Sequence, residues 1–181
     1  MAQVPSSNSV YGEECRSCWM VPEGKSLVGF DASGLELRML AHYMDDEEFT
    51  NVLLKEDIHT RNQMAAGLDT RPQAKTFIYA FLYGAGDAKI GSIVGGSSGD
   101  GRKLKQRFLR NTPSLEALRE RVGNAAQRGH LKGLDGRKLW VRSEHAALNT
   151  LLQAAGAIVM KKALVLLEDY ANQWKLDYRF V

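Results

Sequence analysis

The chain has 181 residues, 44% of them hydrophobic, with 24 Lys and Arg against 21 Asp and Glu. That is enough chain for one large domain or two incomplete ones with a real core, in the composition of an ordinary soluble protein. No uninterrupted apolar run approaches the roughly 20 residues that cross a bilayer, and the N-terminus has no signal-peptide pattern, so no membrane partner and a cytoplasmic location are expected.

The small net charge of +3 hides an uneven distribution. Between Gly101 and Arg142 there are twelve Lys and Arg against Glu116, Glu120 and Asp135. Such a block suits a phosphate backbone, because each neutralised phosphate releases counterions. Cys15 and Cys18 form a C-x-x-C without a second pair or a histidine at ligand spacing, so incidental reduced thiols are expected.

In chain order, residues 1–22 have little periodicity, and Ser6, Ser7, Asn8 and Ser9 read as a loop. Residues 26–30 alternate and are apolar enough for a buried strand that delivers Asp31 at its end. Ser33 with Glu36 reads as a capping box that opens a helix over 34–44. Residues 45–48 form an acidic turn, expected to be solvated surface. Asp57-Ile58-His59-Thr60 opens a helix that Gly67 ends. Thr70 with Gln73 makes a second capping box, Pro72 fits the first turn, and Gly84 stops the helix. On it Ala74, Phe77, Ile78 and Phe81 share one apolar face, while Arg71, Lys75, Tyr79 and Tyr83 recur every four residues as a separate stripe. Two cations followed by two phenols can hold a polyanion at one end and a base or sugar at the other.

Residues 84–101 are glycine-heavy and read as a turn-rich connector; no G-K-[ST] follows to make a phosphate loop. Residues 102–110 and 113–123 read as helices, and G-L-D-G-R-K-L-W-V-R over 133–142 as a tight hairpin. A long helix is expected from Ser143 to Tyr170, with His145, Asn149 and Gln153 opposite Leu151, Leu152, Ala155 and Val159. Residues 176–181 read as the opening of an alternating strand.

The stripe R-x-x-x-K-x-x-x-Y-x-x-x-Y-G resembles the nucleotide-binding helix of family A (Pol I-like) DNA polymerases. D-A-S-G-L-E-L-R at 31–38 resembles that family's first catalytic motif, and D-I-H-T is similar to a third segment. The likeness covers roughly residues 1–170 and is strongest to the short-tailed bacteriophage replicative type. It implies an α/β fold, α-rich α+β, with palm strands and a helical fingers subdomain. By the same likeness 1–45 and 143–181 are palm segments and 46–142 is the fingers.

The resemblance also implies site residues. Asp31 and the Ala32 carbonyl would hold Mg²⁺, two ions being present in the intact enzyme, and Glu36 would lie under the sugar and exclude a 2′-hydroxyl. His59, Arg71 and Lys75 would meet the phosphates, with Lys75 passing a proton to the departing pyrophosphate. Tyr79 would face the deoxyribose, and Tyr83 would stack where the template base enters. Gln3, His145, Asn149 and Gln153 would contact DNA, the last two in the minor groove at the primer terminus, where acceptors are alike for every correct pair. Implied partners are primer-template DNA, dNTP and, for the full-length protein, a processivity factor. A His-Asp turn that supplies the family's second metal-binding aspartate is not in the sequence. The chain therefore reads as a palm-and-fingers piece that does not synthesise DNA alone. Rival readings are a non-catalytic nucleic-acid-binding module and a split-polymerase subunit completed by another chain.

Overall fold

The computed structural model describes residues 4–180. It divides into two units, Met1–Ser33 and Gly34–Val181. In the first, α1 (Gly12–Ser17) is one short helix, and Arg16 Nε donates to the Pro5 carbonyl at 2.9 Å. Cys15 and Cys18 are free, exposed thiols. The strand expected at 26–30 does not form: Val28 is 78% exposed, and Leu27 and Phe30 also face solvent. A lone extended segment has no neighbour to satisfy its N–H and C=O groups, so alternation alone makes no strand. Residues 176–180 are irregular and exposed for the same reason.

The second unit is helical. It runs α2 (Leu35–Met44), α3 (Glu47–Lys55), α4 (Ile58–Ala66), α5 (Arg71–Leu82), α6 (Asp87–Ile93), α7 (Ser98–Arg110), α8 (Pro113–Ala126), β1 (His130–Lys132), β2 (Lys138–Trp140) and α9 (Ala147–Gln173). A 3₁₀ turn at Glu144–Ala146 precedes α9. The two strands pair antiparallel, the one sheet among the described residues. The expected α-rich architecture is borne out, with strand content confined to that hairpin.

Helix α5 is the central rod. Thr70 caps it as expected: its hydroxyl accepts from Gln73 N at 3.3 Å, and Gln73 Oε1 accepts from Thr70 N at 3.2 Å. Ala74, Phe77, Ile78 and Phe81 are all buried. Phe77 and Phe81 meet Phe108 of α7 edge-on, with ring centroids 5.1 and 5.5 Å apart. From the other side α2 brings Leu37, Leu40, Ala41 and Met44 into the same core, and α9 brings Leu148, Leu151 and Leu152.

Three local expectations are corrected. Helix α2 has no side-chain cap; Gly34 precedes it with φ 61°, a left-handed backbone that glycine tolerates best. The acidic turn is not merely solvated, because Asp46 caps α3 by accepting from Phe49 N at 2.9 Å and also accepts from the Ser114 hydroxyl. These bonds hold the Asp46 carboxyl below the usual carboxylate range. The glycine-heavy connector contains α6 and the start of α7, itself opened by a Ser97/Asp100 capping box. Its glycines serve contact: a Cβ at Gly91 would lie 2.0 Å from the Ser97 carbonyl oxygen, and one at Gly101 would lie 2.0 Å from that of Asp87. Here glycine lets two helices touch.

The stretch Glu144–Gln173 is long and apolar enough to cross a bilayer, with a mean hydropathy of 1.6 over its best window. The uninterrupted-run criterion missed it because lysines and other polar residues are scattered through the helix. Its first turns carry Ala147, Leu148, Leu151, Leu152 and Ala155 into the core, while Val159, Leu164, Val165 and Leu166 further along are exposed, so core burial accounts for only part of that apolarity.

Two substitutions check this account by urea denaturation. Thr70→Ala should lower unfolding free energy by about 1 kcal/mol through the lost cap. Gly101→Ala should cost more, about 1–3 kcal/mol, because α6 must move off α7; equal midpoints for the two variants would contradict the packing role.

Candidate active site

The N-terminal end of α5 meets the start of α4. Asp57 caps α4: Oδ1 accepts from His59 N at 3.1 Å and Oδ2 from the Thr60 hydroxyl at 2.9 Å. The same carboxylate takes the Arg71 guanidinium in a fork, Nη2 to Oδ1 at 3.1 Å and Nε to Oδ2. Arg71 therefore already holds an anion. The guanidinium and the Thr60 hydroxyl hold the Asp57 carboxyl far below its ordinary range, and the pairing raises Arg71 in return. Both partners face solvent, so the pair contributes little to stability and exchanges readily with another anion.

His59 lies beside this pair, half-buried, its ring centroid 6.1 Å from that of Tyr79. Its Nδ1 is buried without a hydrogen-bond partner among the described residues. Burial lowers its pKa first, and the Arg71 and Lys75 charges lower it further against the opposing pull of Asp57. At neutral pH the imidazole is therefore uncharged, and the positive charge here belongs to Arg71 and Lys75.

The C-terminal end of α5 is organised differently. Tyr83, half exposed, donates its hydroxyl to Glu36 Oε1 of α2 at 3.3 Å. Gln153 of α9 donates its amide to the same oxygen at 3.4 Å and to the Tyr83 hydroxyl at 3.3 Å. Three residues singled out in the sequence for separate reasons thus meet from three helices. The bonds are long, so they orient more than they bind. Burial and the Glu36 carboxylate raise the Tyr83 pKa, which keeps the phenol protonated as the donor.

Two glycines make this triangle possible. A Cβ on Gly156 would lie 3.2 Å from Leu35 Cδ2, so glycine lets the first turn of α2 settle on α9 next to Gln153. Gly84 has φ 76°, and a Cβ there would lie 2.4 Å from the His145 carbonyl oxygen. The end of α5 therefore rests on the turn that starts α9. A cavity of about 750 Å³ opens at this junction, lined by Gly84, Ala85, Lys105, Arg119, Glu144 and His145 among others.

The remaining expected residues are placed as follows. His145 is exposed on the 3₁₀ turn and not on α9 itself, whereas Asn149 is half-buried one turn before Gln153. Asp31 is exposed and Ala32 half-buried, both in the first unit. Gln3 lies outside the described residues. No three His, Cys, Asp or Glu side chains among the described residues come together to hold a metal ion. One carboxylate and one carbonyl do not make a two-ion centre. Asp57, legible in the sequence as the start of a helix, is also the partner of Arg71, and no spacing rule signals that contact.

Comparison with known proteins shows the family. The family model described as DNA polymerase family A matches residues 1–181. The chain is 49% identical over 195 aligned positions to the DNA-directed DNA polymerase of Enterobacteria phage T3, and equally to that of Escherichia phage T7. In each case the alignment covers 93% of this chain and 28% of the relative, so the chain spans under a third of their length. DNA polymerase I of Pseudomonas aeruginosa is 24% identical over 94% of the chain and 21% of the relative. Among solved structures, the POL domain of Pol1 from M. smegmatis, in complex with DNA primer-template and dNTP, superposes with a TM-score of 0.78 at 19% identity, over 97% of this chain and 35% of that one. The chain, which carries the capped Arg71–Leu82 helix, belongs to DNA polymerase family A.

Proposed function

We propose that this chain is the nucleotide-selecting part of a DNA-directed DNA polymerase, which transfers dNMP from dNTP to a primer 3′-hydroxyl opposite a template base. The observation that carries the reading is the division of α5 into a cationic end and an aromatic end, with Glu36 and Gln153 gathered at the latter. Residues 46–142 would be the fingers and the flanking segments parts of the palm.

Arg71 and Lys75 bind the triphosphate as a charge-assisted clamp, with Asp57 holding the guanidinium until the phosphates displace it. Uncharged His59 adds a hydrogen bond to a phosphate oxygen, and Lys75 is placed to protonate the departing pyrophosphate. Tyr79 faces the deoxyribose, and Glu36 blocks the space of a 2′-hydroxyl. Tyr83 covers the place of the incoming base pair until closure moves it, which couples fit to assembly of the site. Asn149 and Gln153 test the primer-terminal pair through its minor-groove acceptors. Mg²⁺ would be held by Asp31 and the Ala32 carbonyl together with further carboxylates, and when bound it would stabilise charge on the phosphates. The described residues do not complete that centre. Nucleotide binding, and not synthesis, is therefore the activity expected of these 181 residues.

Equilibrium binding of a fluorescent dNTP tests the clamp. Arg71→Ala and Lys75→Ala should each weaken it by about ten- to a hundredfold, the range of a lost hydrogen bond between charged groups. Asp57→Asn keeps the cap but frees Arg71, and should tighten binding severalfold; unchanged affinity in all three variants would sink the reading. In NMR titration, His59 should gain its proton only below the ordinary histidine range. Because the unfolded chain then binds more protons than the folded one, the stability it contributes is present above the ordinary histidine pKa and is lost as pH falls through the depressed value. Added dNTP should raise the His59 midpoint, since the phosphates offset Arg71 and Lys75. Glu36→Ala should let a ribonucleoside triphosphate compete with dNTP more closely than it does in the parent chain.

A further inference from the structure

The basic block between Gly101 and Arg142 separates, in three dimensions, into cations used within the fold and cations left over. Lys105 Nζ lies 3.0 Å from Asp87 and donates to the Ala85 carbonyl at 2.6 Å; Arg102 also reaches Asp87. Arg119 sits 5.1 Å over the Phe81 ring, Arg121 donates to the Tyr43 carbonyl at 3.0 Å, and Arg137 pairs with Asp135 in the hairpin turn. Lys103, Arg107 and Arg110 on α7 are exposed without an ion-pair partner among the described residues, and so, as a second group, are Arg128, Lys132, Lys138 and Arg142. All four lie on or beside the β1–β2 hairpin.

The strand register orders them. His130 faces Trp140, Leu131 faces Leu139, and Lys132 faces Lys138. Leu131 and Leu139 turn toward the core, so alternation puts His130, Lys132, Lys138 and Trp140 on the opposite, outer face. Val141 N donates to the Gly129 carbonyl at 3.5 Å, where the pairing ends: Gly129 has φ 86°, and Arg128 lies in the turn that closes α8, its N–H donating to the Ala125 carbonyl. The outer face then reads as two rungs about 7 Å apart, a ring pair and two lysines, with Arg128 and Arg142 exposed beyond the strand ends. Trp140 is 73% exposed, with the His130 ring 5.8 Å away. Like charges directly opposite each other on a sheet repel, and a flat indole left in water gains nothing. A ligand with an anion beside a stackable ring relieves both at once.

We propose that this face is a platform for single-stranded nucleic acid, with an unpaired base stacked on Trp140 and His130 and the adjoining phosphate held by Lys132 and Lys138, while Arg128 and Arg142 add positive charge just beyond the strand ends. A single strand fits better than a duplex, whose bases are already stacked inside. It also fits better than an acidic peptide, which has no use for the ring. The proposal goes beyond the nucleotide site on α5 and does not depend on it.

Fluorescence anisotropy of a labelled oligothymidylate with the 181-residue chain tests this over a series of salt concentrations. Trp140→Ala should weaken binding at least about fivefold, and Trp140→Phe should keep most of it, since stacking on any ring is tolerated. The Lys132→Gln/Lys138→Gln double variant should flatten the slope of log affinity against log salt by about 1.4, the share of two single-strand phosphates. Lys103→Gln on α7 should leave binding to the ring platform intact. The proposal is overturned if Trp140→Ala and the double lysine variant behave like Lys103→Gln. A duplex of equal length, or an oligoglutamate peptide, that binds as tightly as the single strand overturns it too. Fluorescent dNTP binding measured on the same variants should match the parent chain, so this proposal and the polymerase reading fail or stand separately.

Discussion

Everything at the candidate site depends on α5 being unable to rotate. Ala74, Phe77, Ile78 and Phe81 are buried along one side, and Phe77 and Phe81 are locked edge-on against Phe108. Turning the rod by one residue would swing these side chains into water, at about 1.5–3 kcal/mol for each large one. With that face fixed, helical geometry alone decides where Arg71, Lys75, Tyr79 and Tyr83 point. The hydrophobic side sets the direction of the chemistry on the polar side.

Close helix contact supplies the second constraint, and glycine makes it possible. Gly156 lets α2 settle on α9, Gly84 lets the end of α5 rest on the His145 carbonyl, and Gly91 and Gly101 press α6 against α7. The first two bring Glu36, Tyr83 and Gln153 within hydrogen-bond reach although they lie far apart in the chain. Long bonds among three exposed or half-exposed groups leave little to be broken when any one of them moves.

Charge is handled in two ways on the same unit. At the N-terminal end of α5, Asp57 occupies Arg71, so the cation is already oriented. On the outer face of the hairpin the lysines oppose each other with no acid between them. The first arrangement favours exchange of one anion for another. The second leaves repulsion that only an external anion relieves.

The sequence by itself determined α5: the Thr70/Gln73 box, the buried face, the stop at Gly84 and the four-residue stripe are all local, and local rules of capping and periodicity suffice for them. It also determined the helix opened by Asp57, the hairpin around Asp135-Gly136, and the family, because several motifs stood in order. Tertiary structure decided what depends on partners distant in sequence. Residues 26–30 alternate like a strand, but a strand exists only where another pairs with it. Glycines 91 and 101 looked like loop and proved to be contact, since a glycine's reason is the atom it approaches and not its neighbours in the chain. The pairing of Arg71 with Asp57 and the meeting of Glu36 with Tyr83 and Gln153 are contacts of this kind, set by how helices pack and invisible to any spacing rule.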